Sequence, residues 1–136
     1  MTLFIDTSVW SLAFRRDAPS PAAEVRALIR ALETGETIVS TGLVLQEILQ
    51  GFQGPKAREQ ILDRFSAVPL LAPDRDDYIH AAELRNRCRR TGLQIGTIDA
   101  LLAELCLRHD LTMLSADQDF AGIADRFGLK LWKEGA

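Results

Sequence analysis

The chain has 136 residues, of which 47% are hydrophobic and 26% are charged, a composition typical of one globular domain rather than of a disordered or disulfide-stapled chain. Its 16 basic and 19 acidic residues give a formal net charge of −3. This balance excludes a protein that coats nucleic acid through a surplus of positive charge. It leaves room for an enzyme that uses a few arginines on one face.

Cysteine content and hydropathy indicate the cellular compartment. Cys88 and Cys106 have neither a C-x-x-C spacing nor a histidine at ligand distance, so we predict two buried, reduced thiols rather than a zinc site or a disulfide. The N-terminal residues include no basic segment, and no apolar stretch approaches the roughly 20 residues of a membrane-spanning helix. We expect a cytoplasmic protein that forms a single domain over residues 1–136.

Five short apolar runs alternate with helix-length amphipathic segments, a pattern typical of βαβ units. The runs are residues 3–6, 37–40, 68–72, 111–115 and 129–132. They predict an α/β fold of the doubly wound kind, with a central parallel sheet of about five strands flanked by helices.

Capping residues and prolines mark where the predicted helices begin. These starts are Ser20 with Pro21, Thr41 or Gly42, Pro55, Asp74 and Thr97. The helices that begin near Thr41 and at Pro55 are joined by a short glycine-rich link. They predict an αα-hairpin between the second and third strands.

Acidic residues stand at the ends of several predicted elements. Asp6 ends the first run, Asp117 follows the fourth, and Asp99 lies in the first turn of its helix. Glu47 lies in the middle of an apolar helix. Ligands of open parallel sheets bind beyond the carboxyl ends of the strands, where strand order reverses. If the first and fourth strands are neighbours, Asp6 and Asp117 face one crevice.

Each acid alone has an ordinary structural explanation as a turn former, a helix cap or a solvated helix residue. Their joint placement favours a shared site. Convergent carboxylates raise one another's pKa unless a divalent cation is present, and hard oxygen ligands suit Mg²⁺ or Mn²⁺. Such a site can polarise a phosphoryl group and activate a water. The sequence contains no phosphate-binding loop, dinucleotide-binding turn or nucleophile elbow that would indicate other chemistry.

Four segments, in order, resemble the PIN-domain family and specifically its VapC-type toxins of type II toxin–antitoxin pairs. They read LFIDTS at 3–8, LQEILQG at 45–51, TIDALLA at 97–103 and LSADQDF at 114–120. The resemblance covers nearly the whole chain. It implies a PIN-like sandwich, a homodimer, a cognate antitoxin that forms a hetero-oligomer with the toxin, and an RNA substrate.

The resemblance also implies a Mg²⁺-dependent endoribonuclease, with Mn²⁺ as a substitute. The implied catalytic acids are Asp6, Glu47, Asp99 and Asp117. Three of these, Asp6, Asp99 and Asp117, are the implied metal ligands. The implied supporting residues are Thr7, Ser8, Ser115 and Asp119. The choice between Asp117 and Asp119 as the fourth acid stays open; we favour Asp117 and expect Asp119 to cap the next helix.

Arginines near the end of one predicted helix are candidates for contacting RNA. They are Arg85, Arg87, Arg89 and Arg90. A guanidinium pairs with phosphate through two parallel hydrogen bonds. A solvated basic face, which is favoured near a helix C-terminus, explains each arginine equally well.

Two other functions stay open. One is a non-catalytic PIN-like module that binds RNA or a partner. The other is a receiver-type phosphoacceptor domain, for which Asp6 lacks an acidic neighbour and Lys130 and Lys133 are poorly placed. DNA cleavage is also open, because nothing in the sequence reads a 2′-hydroxyl.

Overall fold

The computed structural model describes residues 1–15 and 22–135, so the helix start predicted at Ser20 and Pro21 lies outside them. The described residues form a four-stranded sheet of β1 (Leu3–Ile5), β2 (Ile38–Thr41), β3 (Leu70–Leu71) and β4 (Thr112–Leu114). The helices are α1 (Thr7–Ala13), α2 (Ala23–Thr34), α3 (Gly42–Gly51), α4 (Pro55–Phe65), α5 (Arg75–Arg90), α6 (Thr97–Arg108) and α7 (Asp119–Phe127). The α/β class and the parallel sheet flanked by helices are confirmed.

Strand order reverses at β1, which has β2 on one side and β4 on the other in the order β3-β2-β1-β4. All pairs are parallel, and Ile5 at the end of β1 pairs with Leu114 at the end of β4. The first and fourth strands are therefore neighbours, as the acid pattern required. The residues that follow them, Asp6 and Ser115, share one edge of the sheet.

The expectation of about five strands is wrong, because residues 129–132 do not form a fifth strand. Leu131 makes only an isolated parallel bridge to Met113. In this bridge the Met113 N–H donates to the Lys130 carbonyl at 2.8 Å, and the Trp132 N–H donates to the Met113 carbonyl at 2.9 Å. A turn begins at Glu134, so the extended segment is too short to continue the ladder.

The predicted pair of helices between the second and third strands is confirmed as α3 and α4. Thr41 is the N-cap of α3, where its hydroxyl accepts a hydrogen bond from the Val44 N–H at 3.2 Å. Pro55 is the first residue of α4, where its missing N–H has no intrahelical partner to lose. The cap predicted at Thr97 is wrong: Gly96 is the N-cap of α6, and Thr97 is its first residue.

Helices α5 and α6 are joined by a buried carboxylate. Asp74 caps α5 as predicted, and it forms a reciprocal capping box with Asp77 in which each side chain accepts from the other's N–H at 2.9 Å. Asp77 is only 2% exposed, and Arg108 at the end of α6 donates to it at 3.1 Å. This contact brings the end of α6 to the start of α5.

The core encloses β1, whose three residues are all buried. Cys88 and Cys106 are buried and free, as the sequence predicted. None of the helices in residues 1–15 and 22–135 is both long and apolar enough to cross a membrane.

Candidate metal centre

Asp6 lies at the base of an acidic site where β1 ends. It is the N-cap residue of α1, and its backbone N–H donates to the Leu114 carbonyl of β4 at 3.2 Å. Asp6 is only 4% exposed. Ser8 donates to Oδ1 at 2.6 Å, and Ser115 donates to Oδ2 at 2.8 Å. Burial raises the pKa of Asp6, and the two hydroxyl donors oppose that rise.

The two serines also hold the loop that follows β4. The Ser8 hydroxyl accepts from the Ala116 N–H at 2.9 Å, and the Ser115 hydroxyl accepts from the Asp117 N–H at 2.9 Å. Each serine hydroxyl therefore accepts a hydrogen bond from a backbone N–H and donates one to the Asp6 carboxylate. These bonds fix the Asp6 carboxylate relative to the loop that presents Asp117.

Glu47 approaches from α3 and is fixed by the first residue of α1. The Thr7 hydroxyl donates to Glu47 Oε1 at 2.8 Å. Glu47 is half-buried, and its neighbour Ile48 packs in the core. The contact uses one carboxylate oxygen, and within residues 1–15 and 22–135 no side chain donates to Oε2.

Asp99, Asp117 and Asp119 converge from α6 and from the loop that leads into α7. Each offers an oxygen, and these three oxygens all lie within 4.8 Å of one another. Asp99 is half-buried, whereas Asp117 and Asp119 are exposed. Burial first, and then the negative charges of Asp117, Asp6, Asp119 and Glu47, raise the pKa of Asp99 to about 6. Asp99 and these four acids are therefore close enough for their charges to interact.

Asp119 belongs to this group and is not the predicted helix cap. Gln118 occupies the N-cap position of α7, and Asp119 is the first helical residue. The Asp119 N–H donates to Asp117 Oδ1 at 2.9 Å, so Asp117 holds the turn. Both acids reach Asp99, and the structure brings the two alternatives for the fourth acid into one cluster.

The carboxylates fit a small divalent cation. At a Mg–O bond of about 2.1 Å, oxygens on opposite sides of an ion lie about 4.2 Å apart. The oxygens of the Asp99 group lie within 4.8 Å of one another, so the three acids are near enough to share one ion. Hard carboxylate oxygens without nitrogen or sulfur ligands suit Mg²⁺ or Mn²⁺. The donor set and its spacing agree.

The four candidate arginines do not form one surface. Arg85 is half-buried, and its Nε donates to the Ile95 carbonyl at 2.9 Å, in the loop before α6. The Arg87 guanidinium lies 5.0 Å from the centre of the Phe127 ring. Two positions apart on a helix correspond to about 200° around its axis, so Arg85 and Arg87 face different neighbours. Arg89 and Arg90 are exposed at the end of α5. An RNA-binding role for the four stays a prediction.

Fold and site together define an α/β protein with a cluster of acids, of the kind that binds metal ions, at the point where strand order reverses. Residues 3–126 match the family model of the PIN domain. The chain is 32% identical over 124 residues to the VapC ribonuclease Mb1587 of Mycobacterium bovis, which covers 90% of this chain and 91% of that protein. The chain therefore belongs to the PIN-domain family and, within it, to the VapC-type proteins.

Solved structures share this fold at low sequence identity. The VapBC2 structure from Rickettsia felis, bound to a DNA fragment from its promoter, superposes with a TM-score of 0.75 at 20% identity and covers 98% of this chain and 100% of that chain. VapBC-1 from nontypeable Haemophilus influenzae superposes with a TM-score of 0.72 at 18% identity and covers 98% of each chain. At these identities the likeness concerns the fold.

Proposed function

We propose that this protein is a Mg²⁺-dependent endoribonuclease that acts as the toxin of a toxin–antitoxin pair. The observation that carries the proposal is the convergence of five carboxylates, Asp99 and four neighbours, beyond the ends of β1 and β4. Membership of the PIN-domain family and the likeness to a VapC ribonuclease support it.

Asp99, Asp117 and Asp119 are the side chains whose oxygens would hold the ion. Asp6 is the buried acid of the same cluster. When bound, a divalent cation in such a site polarises the phosphodiester and makes a coordinated water more acidic. Ser8 and Ser115 keep the Asp6 carboxylate in one orientation, so that the site is formed before substrate arrives.

Glu47 has the geometry of a residue that orients the attacking water. Thr7 holds Oε1, and Oε2 is open to accept a proton from that water. Attack of the water oxygen on phosphorus breaks the bond between phosphorus and the leaving ribose oxygen, which takes up a proton from solvent. We assign Glu47 the role of water-positioning residue, and the three aspartates of the Asp99 group the role of metal ligands.

Partners and location follow from the same proposal. The solved structures that share this fold include VapBC assemblies, and we propose that this chain likewise binds a cognate antitoxin and forms a homodimer within a hetero-oligomer. We further propose that it acts in the cytoplasm, where RNA is accessible, and that residues 1–136 act as one nuclease domain.

The test is cleavage of RNA by protein purified without an antitoxin. We expect cleavage with Mg²⁺ or Mn²⁺, none with EDTA, and none by the Asp99→Asn variant with either metal. The Asp125→Asn variant, which removes an exposed acid of α7 outside the cluster, is the matched control and should cleave like the wild type. Full cleavage in EDTA, or by Asp99→Asn, would contradict the mechanism.

A further inference from the structure

A cleft with aromatic and basic walls lies between the end of α1 and the link from α3 to α4. It has a volume of about 600 Å³. The residues that define this Phe52 cleft are Phe14, Arg15, Phe52, Gln53, Pro55 and Lys56. None of the acids of the metal centre lines it.

The two aromatic rings of the Phe52 cleft are partly exposed and firmly placed. Their centres lie 6.3 Å apart, with the ring planes at 69°. Behind them, the buried Trp10 ring stacks on Phe14 at 5.9 Å and 15°. Phe52 is only half-buried, so part of its ring is accessible to a planar ligand.

The cations of the Phe52 cleft favour an anionic occupant. Arg15 and Lys56 are exposed, and no carboxylate is among the described residues that line the cleft. Lys56 lies in the first turn of α4, and that first turn contains no acidic residue. The helix dipole disfavours a cation at this end, so the dipole does not explain the lysine.

The Phe52 cleft is also close to the metal centre along two helices. Thr7 and Glu47 meet at the acidic site, and the cleft begins where the same two helices end. Phe14 follows Thr7 by seven positions, about 10 Å at the α-helical rise. Phe52 follows Glu47 by five positions. A short stretch of RNA held at the acids can reach the cleft.

We propose that the Phe52 cleft binds a nucleotide of the single-stranded RNA substrate, a short distance along the strand from the cleaved bond. A base stacks on the Phe52 ring, and phosphates pair with Arg15 and Lys56. This inference rests on the proposed function, because it takes the strand at the metal centre to be RNA.

The test measures binding of a fluorescent single-stranded RNA 12-mer in Mg²⁺ by the Asp99→Asn protein, with a gel to show that the RNA stays intact. Replacing Phe52 by Leu keeps apolar bulk and removes the ring, and we expect it to weaken binding about 5- to 150-fold, the range for loss of one base stack. Phe52→Tyr keeps the ring and should bind like the parent.

Salt dependence tests the cations independently of Phe52 packing. Removing both charges in Arg15→Gln/Lys56→Gln should reduce the slope of log affinity against log salt by about 1.4, because each phosphate contact to a single strand contributes about 0.7. Lys133→Gln, an exposed lysine outside the cleft, should leave the slope unchanged.

The outcomes separate the two proposals. Absence of RNA cleavage by the wild-type protein with Mg²⁺ and with Mn²⁺ overturns both the proposed function and the subsite. Binding that is equal in Phe52→Leu and Phe52→Tyr, with an unchanged salt slope in the Arg15/Lys56 double variant, overturns only the subsite. Competition by a polyglutamate peptide is a further outcome. If the peptide displaces RNA, and Phe52→Leu weakens its binding as much as that of RNA, the cleft binds an acidic protein partner and the subsite proposal is overturned. Crosslinking of 4-thiouridine RNA to the peptide that contains Phe52 is the expected positive result.

Discussion

Replacing Asp99 by asparagine should stabilise the metal-free protein at neutral pH, although it abolishes the proposed activity. Burial and four neighbouring carboxylates raise the pKa of Asp99 from 3.8 to about 6. The folded protein therefore binds this proton more tightly than the unfolded chain, and the free energy of unfolding falls as the pH rises from 3.8 to about 6. Asparagine has similar shape and no charge, so the variant avoids that loss.

The magnitude follows from the displacement of the pKa. A change from 3.8 to about 6 corresponds to about 3 kcal/mol, at about 1.36 kcal/mol per pH unit. Asp99 is only half-buried, and solvent screening reduces this figure. We expect Asp99→Asn to raise the free energy of unfolding by about 1–2 kcal/mol above pH 7, or the melting temperature by several degrees.

Urea unfolding in EDTA measures this difference near pH 7.5 and near pH 4. Most of the stabilisation should disappear at the lower pH, and the exposed control Asp125→Asn should show little at either. Added Mg²⁺ should then reverse the order, because a ligand at 100 times its Kd stabilises the folded state by about 2.7 kcal/mol and the variant lacks a ligand. An Asp99→Asn protein that is no more stable than the wild type in EDTA near pH 7.5 would refute the reasoning.

Three further substitutions test other contacts by urea unfolding. Ser115→Ala leaves the buried Asp6 Oδ2 without its donor, and should lower the free energy of unfolding by about 1–3 kcal/mol and weaken stabilisation by Mg²⁺; wild-type values of both would contradict this. Asp77→Ala removes the capping box and one of the carboxylates that Arg108 contacts, so we expect a loss of about 1–3 kcal/mol, and unchanged stability would contradict this reading of the contact. The buried Ser40 hydroxyl has no hydrogen-bond partner among the described residues, so Ser40→Ala should cause no loss of stability.

Local signals predicted the elements whose ends depend on nearby residues. Thr41, Pro55 and Asp74 mark helix starts because a side chain or a missing N–H acts within one turn. Residues 129–132 are different. Whether they form a strand depends on how many of them can pair with β4, and only Leu131 does so. Periodicity shows an apolar run but does not show how many of its residues reach a neighbouring strand.

The site could be predicted in part for the same reason. Asp6 and Asp117 follow strands, and the rule for open parallel sheets brings such ends together. Glu47 is the least secure of these predictions from its position alone, because an acid in the middle of a helix usually faces solvent. The role of Asp119 depended on whether Gln118 or Asp119 starts α7, a difference of one residue that composition does not decide. The contact of Arg85 with the Ile95 carbonyl is tertiary and has no sequence signal.

The distribution of hydrogen bonds within the acidic cluster argues that the cluster is functional. Hydroxyl donors serve Asp6 and Glu47, whose carboxylates are buried or half-buried and are held in one orientation. Among the described residues, no lysine, arginine or histidine forms an ion pair with any acid of the cluster. A cluster that served folding alone would gain stability from one such cation or from one neutral substitution. The chain keeps the repulsion at Asp99 instead, which a divalent ion bound there, as proposed, would relieve while leaving room for a phosphate.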